Sequence, residues 1–384
     1  MCSPSATSNS PIAMRYRLVI VTSNNGKIRL RFWRATYQVL VSVVIPAFQS
    51  SCHIAQALES VFAQTFTDYE VLVVNDGSPD TDLLEQALMP YQKRIRYLKQ
   101  PNGGPSAARN TGVLQANGRL IAFLDSDDAW FPGHIANQLA MLAEEPSLGL
   151  VYSDSILMKE GVVVGHAFGQ QPQHPPVTFE SLLAEDCAIG TSSVVASRDA
   201  LINAGLFDEQ FSRCEDFDLW LRMAFRGTRM NYCHEPSLYH LLSPDGLSSS
   251  LYLMKCALID VYGKIASTMP VSKAQEKLIQ QCIRRTKVRS QLDLLKQHSA
   301  SGEYPLALEA AERARTLAKS AKLNWAIFGL KRAPHVFKHA YNTYERWSHF
   351  RDRLRATHSA RSLKRFQPHA ELIFDEGKLP PRNK

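Results

Sequence analysis

Apolar residues in the front third of the chain fall into short runs separated by helically spaced ones. Val41 to Ile45 is one apolar run, Ile54, Leu58, Val61 and Phe62 then recur at a helical period, and Tyr69 to Val74 is apolar again, which predicts strand, helix, strand. The alternation continues with a helix over Asp82 to Leu88, a strand at Ile95 to Leu98, a helix from Ser106 to about Ala116 and a strand at Leu120 to Leu124. Strands that are apolar on successive residues and alternate with helices predict a parallel sheet covered on both faces. Farther on the pattern predicts a helix over Gly133 to Glu144, strands at Gly149 to Ser153 and Val162 to Val164, and a loop between Gln170 and Pro176. Helices are expected at Thr178 to Glu185, Asp199 to Ala204 and Phe217 to Phe225. Beyond about Leu251 the strand signal ends, and helical patterns follow at Ala274 to Gln297, Pro305 to Ala321 and Ala340 to Arg355. The expected fold class is α/β, a Rossmann-like, mostly parallel sheet with helices on both faces, followed by a basic α-helical C-terminal region.

Charge divides the chain at the same places. Residues 1–40 carry six basic residues and no acid, residues 41–250 are net −13, and residues 251–384 are net +15, so the overall +8 comes entirely from the ends. This divides the chain into a basic N-terminal extension (1–40), a central domain (41–250) and a basic helical region (251–384). The extension opens on a Ser/Pro/Asn-rich stretch without apolar periodicity, inside which Met14 offers a second start. An acidic central domain needs a cation or local basic side chains before it holds an anionic ligand. Seven scattered cysteines without a CxxC pair form neither a zinc set nor a disulfide framework and suit a reducing compartment. No apolar run approaches a signal-peptide core or a membrane span, which leads to the expectation of a cytoplasmic protein.

Four features sit at predicted strand ends, where open α/β sheets bind ligands. Pro46-Ala47-Phe48 follows the first strand and suits the border of a flat ring. Asn75-Asp76-Gly77-Ser78 follows the second, with Asp76 either a contact for a nucleobase or ribose or the closure of an Asx turn. Asn102-Gly103-Gly104 opens the helix that carries Arg109 and Asn110, a start that suits a phosphate or ribose. Leu120 to Leu124 runs into Asp125-Ser126-Asp127-Asp128. Three carboxylates in four residues repel one another unless a cation or donors compensate, and hard oxygen ligands suit Mg²⁺ or Mn²⁺. Farther on, Cys214-Glu215-Asp216-Phe217-Asp218 places acids at a helix start, either as capping charges or as a general base.

The ordered set VSVVIPAF, YEVLVVNDGS, NGGPSAARNTG, RLIAFLDSDD and EDFDLW, over residues 40 to 245, resembles glycosyltransferase family 2. The resemblance implies a GT-A fold and an inverting transfer from a nucleotide-diphosphate sugar, a UDP-sugar in the first instance, to a hydroxyl of a carbohydrate or lipid-linked acceptor in surface polysaccharide or glycolipid synthesis. It implies that Pro46 and Asp76 line the nucleobase and ribose pocket, and that Arg109 faces the nucleotide. Asp125 and Asp127 become the DxD pair that holds Mn²⁺ or Mg²⁺, with Asp127 on the metal and Asp125 on the ribose or a metal-bound water. Asp216 becomes the catalytic base, and Ile189 to Ser193 lies near the acceptor. Where many relatives carry an Arg or His in a mobile loop after the last strand, this chain offers only His240.

Two rival readings remain beside it. A metal-dependent phosphatase of the haloacid-dehalogenase type also ends a strand in DxD, but wants Thr or Val two residues after the second Asp, where Ala129 stands here. A sugar-nucleotide-binding scaffold without catalysis is the other, and retention of Asp127 and Asp216 argues against it. For the C-terminal region, lipid-linked acceptors suggest peripheral contact with the inner membrane face through Asn324 to Leu330, whereas the alternative buries Trp325 and Phe328 in a small helical core. No recognition motif supports nucleic acid.

Overall fold

The structure, a computed structural model, describes residues 39–335 except 160, 172, 244 and 245. The N-terminal extension up to residue 38 and the helix expected over Ala340 to Arg355 lie outside the described residues. One nine-stranded sheet organises the fold, in the order β3-β2-β1-β4-β8-β6-β9-β5 with β7 added to β6.

Strands β1 (Val39–Ala47), β2 (Tyr69–Asp76), β3 (Arg96–Gln100) and β4 (Gly118–Phe123) form the parallel front predicted from the apolar runs. Helices α1 (Ile54–Phe62), α2 (Thr81–Leu88) and α3 (Gly104–Gln115) connect them. Period two along β1 feeds two separate cores. Val41, Val43 and Ile45 pack with Ile54 and Leu58 of α1 and Leu84 of α2, while Val44 between them joins Val113 of α3 on the opposite face.

Past β4 the chain turns through Asp125 to Asp128 into β5 (Ala129–Trp130), α4 (His134–Glu144), β6 (Leu148–Lys159) and β7 (Val162–His166). Then follow α5 (Ala167–Gln170), α6 (Phe179–Leu183), β8 (Val195–Ser197), α7 (Arg198–Asn203), α8 (Glu215–Phe225) and β9 (Arg229–Leu241). In this half the sheet is mixed. Strand β8 runs antiparallel between β4 and β6, β9 is parallel to β6, and β5 pairs antiparallel with the end of β9 through Ala129↔Tyr239 and Trp130↔Leu238.

Among the described residues four helices follow: α9 (Leu251–Thr268), α10 (Lys273–Ser301), α11 (Tyr304–Leu317) and α12 (Ala321–Arg332). A capping box of Ser272 and Gln275 opens α10, and Gly302 at φ +82° closes it in the left-handed region. The single helix expected over Pro305 to Ala321 ends at Leu317, because Ala318 and Ser320 are extended and α12 starts anew. Val261, Tyr262 and Ile265 of α9 and Ile279 and Cys282 of α10 share one apolar cluster with Leu219 and Trp220 of α8, so the core runs across residue 250. Helices α11 and α12 close a smaller cluster of Ala307, Ala310, Ala311, Ile327 and Leu330 around Leu295.

Candidate active site

The C-terminal ends of the parallel strands deliver the acidic turns to one edge of the sheet. Asp76, at the end of β2, is buried, and its carboxylate accepts the N–H of Gly103 at 2.9 Å, the N–H of Gly104 at 2.8 Å and the amide of Gln100 at 2.7 Å. It fixes the start of α3, satisfying helix N–H groups that have no intrahelical partner. Gly77, at φ +61°, brings its turn against the same loop, and a Cβ there would stand 2.6 Å from the Asn102 nitrogen. Pro46 is partly buried on β1, and Phe48 beside it is 45% exposed at the mouth.

Arg109, on the buried side of α3, is the joint of the site. One terminal nitrogen donates to Asp125 at 2.7 Å and the other to Glu215 at 2.7 Å, while the guanidinium lies 5.5 Å from the Phe207 ring. Burial alone would lower its pKa, but Asp125 and Glu215 outweigh that and raise it, so the guanidinium stays charged. Its Nε, also buried, has no hydrogen-bond partner. Both terminal arms are thus committed to carboxylates, and they join the Asp125 turn to the start of α8.

Within that turn the three acids have different fates. Asp125 accepts from Arg109, and its backbone N–H donates to the Ser192 hydroxyl at 3.0 Å. Asp128 is buried, accepts the Leu241 N–H at 3.0 Å and faces Nδ1 of His240 at 3.0 Å, locking the turn to the end of β9. That carboxylate pushes the imidazole up to about 9 against the opposing effect of burial, so His240 is cationic at neutral pH. Asp127 is left crowded: burial, then Asp128 and Asp125, push it up to about 7.

At the start of α8, Cys214 adopts a left-handed φ of +57°, an uncommon conformation for a residue with a Cβ, and strain of this kind concentrates at functional sites. Each acid that follows has its own partner. Glu215 takes Arg109, and Asp218, fully buried, takes Arg222 at 2.7 Å and Lys264 of α9 at 2.8 Å. Asp216 accepts the Thr191 hydroxyl at 3.1 Å and the Phe217 N–H at 2.7 Å. Burial, then the neighbouring Glu215, push it up to about 6, with Arg109 pulling the other way. The 3₁₀ turn Thr191–Ser193 therefore holds Asp216 through Thr191 and Asp125 through Ser192.

The donor chemistry fits a hard divalent cation. Asp125 and Asp127 supply carboxylate oxygens, and the crowding that raises Asp127 is the repulsion a cation would relieve. Among the described residues no three His, Cys, Asp or Glu side chains converge on a common point. Protein would supply at most two donors, leaving positions for water and a diphosphate, the usual way Mg²⁺ is held.

Sequence reasoning named Asp125, Asp127, Asp216 and Arg109, and the structure joins three of them: Arg109 bonds Asp125, and the Thr191–Ser193 turn ties Asp125 to Asp216. It did not find Glu215 as the second partner of Arg109, nor Asp128 as the partner of His240. Both pairs span more than 100 residues, and only the adjacency of Glu215 and Asp128 to named residues pointed toward them.

A nine-stranded mixed sheet with an Asp-rich turn after its fourth strand, bonded through an arginine to a Glu-Asp helix start, defines a nucleotide-sugar type of α/β site. The chain belongs to glycosyltransferase family 2. The family profile, described as glycosyl transferase family 2, matches residues 42–157. An Escherichia coli relative named UDP-Glc:alpha-D-GlcNAc-diphosphoundecaprenol beta-1,3-glucosyltransferase WfgD is 33% identical over 183 residues, covering 47% of this chain and 68% of the relative. An uncharacterized glycosyltransferase of Rickettsia felis is 32% identical over 200 residues, 49% of this chain, which spans only 31% of that longer relative. Among solved structures, S. aureus TarS 1–349 in complex with UDP-GlcNAc superposes with a TM-score of 0.56 at 19% identity, over 80% of this chain and 92% of that one. Mannosyltransferase PcManGT of Pyrobaculum calidifontis, in complex with GDP-Man and Mn²⁺, gives 0.51 at 17% identity over 81% and 88%. These likenesses establish the GT-A fold with a helical C-terminal region.

Proposed function

We propose that this protein is an inverting glycosyltransferase that moves a sugar from a nucleotide diphosphate, a UDP-sugar, to a hydroxyl of a carbohydrate or lipid-linked acceptor in surface polysaccharide or glycolipid synthesis. The observation that carries the reading is the Arg109 bridge, which binds the Asp125 turn and the Glu215-Asp216 helix start into one site. The names of the E. coli relative and the S. aureus structure, with UDP-Glc and UDP-GlcNAc, support the choice of UDP.

Pro46 and Asp76 border the nucleobase and ribose. With its carboxylate on the Gly103 and Gly104 amides, Asp76 shapes that pocket by holding the loop. Arg109 reaches the nucleotide side through Asp125. Asp127 and Asp125 hold Mn²⁺ or Mg²⁺, which supplies a Lewis acid for the charge that develops on the leaving diphosphate. On the opposite face of the sugar, Asp216 takes the acceptor hydroxyl's proton as the new C1–O bond forms and the C1–phosphate bond breaks, its electron pair leaving with the nucleoside diphosphate. The diphosphate needs no proton from an acid, so one carboxylate suffices where an inverting glycosidase uses two. A single displacement inverts the anomeric centre. Thr191 keeps the Asp216 carboxylate aimed through its 3.1 Å hydrogen bond. A lipid-linked acceptor puts the protein at the cytoplasmic face of a membrane, and among the described residues no helix is long and apolar enough to cross one.

Calorimetric titration of UDP with and without Mn²⁺ tests the reading. Binding is expected to need the metal and to be abolished in Asp127→Ala; equal UDP affinity in the absence of metal would remove the proposed role of the acidic turn.

A further inference from the structure

Helix α12 is apolar on two opposite faces. Leu323, Ile327 and Leu330 are buried, the last two packing against α10 and α11. At 3.6 residues per turn Trp325 and Phe328 fall on the far side. Their side chains are 74% and 56% exposed, with the rings edge to face at 6.2 Å. The alternative that buries these two rings in a small helical core is therefore not what the structure shows: the small core exists, and other residues of the same helix fill it. Exposing both rings gives up on the order of several kcal/mol of burial free energy, which a soluble helix has no local reason to forgo.

Cations frame the pair. The Arg332 guanidinium lies 5.8 Å from the Phe328 ring, and Lys322 is exposed three residues before Trp325. Helix α12 carries Lys322, Lys331 and Arg332 and no acid, within a region of net charge +15. Aromatic rings beside snorkelling cations on one helix face are the chemistry of a membrane interface, and the charge selects anionic over zwitterionic lipid.

We propose that the Trp325–Phe328 face of α12 docks the protein on an anionic phospholipid surface, with the rings at the headgroup boundary and Lys322 and Arg332 on lipid phosphates. This deepens the reading of a lipid-linked acceptor, but it is tested without acceptor or donor. The full chain is floated with vesicles of phosphatidylcholine, with and without about one third phosphatidylglycerol. It is expected to bind only the anionic vesicles and to be released by high salt. Trp325→Ala/Phe328→Ala and, separately, Lys322→Glu/Arg332→Glu should each weaken partitioning at least about tenfold with unchanged melting temperature, since all four side chains face solvent.

Equal flotation of the wild type and the Trp325→Ala/Phe328→Ala variant overturns the proposal, as does absence of binding. Absence of binding together with a dimer that this variant dissociates would assign the face to a second copy instead. Any of these leaves metal-dependent UDP binding untouched, so failure here is distinguishable from failure of the enzymatic reading.

Discussion

Replacing Arg109 by methionine keeps the length of the side chain and removes the charge that two carboxylates share. Glu215 is 11% exposed at its side chain and gains no water when the guanidinium goes, whereas Asp125, at 29%, recovers part of its hydration. Removing one member of a buried ion pair costs roughly 3–5 kcal/mol because the other charge is left uncompensated. Only Glu215 carries the full penalty, so the lower end applies, about 3 kcal/mol. At about 2 °C per kcal/mol for a chain of this size, the melting temperature should fall by about 5 °C. Differential scanning fluorimetry and urea denaturation read the two quantities independently. Arg109→Met/Glu215→Gln should recover at least about 1 kcal/mol of the loss, because an amide is far cheaper to bury than an unpaired carboxylate. A single variant that loses less than about 1 kcal/mol, or a double variant no more stable than the single, would refute the view that Arg109 is the joint between the acidic turn and α8.

Three further outcomes follow from the same geometry. Asp216 must be ionised to accept a proton, and its pKa is pushed up to about 6, so kcat/KM should rise tenfold per pH unit below about 6 and level off above it; a profile flat from pH 5 to 8, measured with chemistry rate-limiting, would remove Asp216 as base. Gly77→Ala forces a left-handed φ on a residue with a Cβ that would stand 2.6 Å from the Asn102 nitrogen, and should cost about 2 kcal/mol or more in urea denaturation. Lys264→Met should destabilise less than Arg222→Met, because the lysine gives the buried Asp218 one contact where the arginine gives a two-nitrogen one, and comparing their urea midpoints checks the order.

The front of the fold was legible because β1 to β4 bury both faces and so appear as apolar runs, and because α1 to α3 carry clean helical periods. The later strands are of another kind. Strand β5 has two residues and β8 three, too short for any period, and β9 mixes Asn231, His234, Glu235 and Pro236 into its length, with register shifts where it pairs with β6. Helix α9 was missed because its buried residues, Val261, Tyr262 and Ile265, cluster in its second half. In the site, acids beside turns identified Asp125, Asp127 and Asp216 by local chemistry. What local chemistry could not give was pairing. That Arg109 turns to Glu215, and that Asp128 takes His240 rather than solvent, are facts of tertiary contact between residues more than 100 positions apart. Asp76 shows the same limit: a carboxylate after a strand suits a ribose or a helix start equally, and here it holds Gly103 and Gly104.

The central claim is that Asp216 accepts the acceptor's proton in a transfer reaction whose donor binds elsewhere in the site. Asp216→Asn keeps the shape and the Thr191 contact and removes the basicity. Sugar transfer and UDP affinity, measured side by side on this variant with its preferred donor, are predicted to separate: UDP affinity in Mn²⁺ unchanged within about threefold, and transfer reduced at least about 100-fold. Transfer at the wild-type rate by Asp216→Asn would contradict the account.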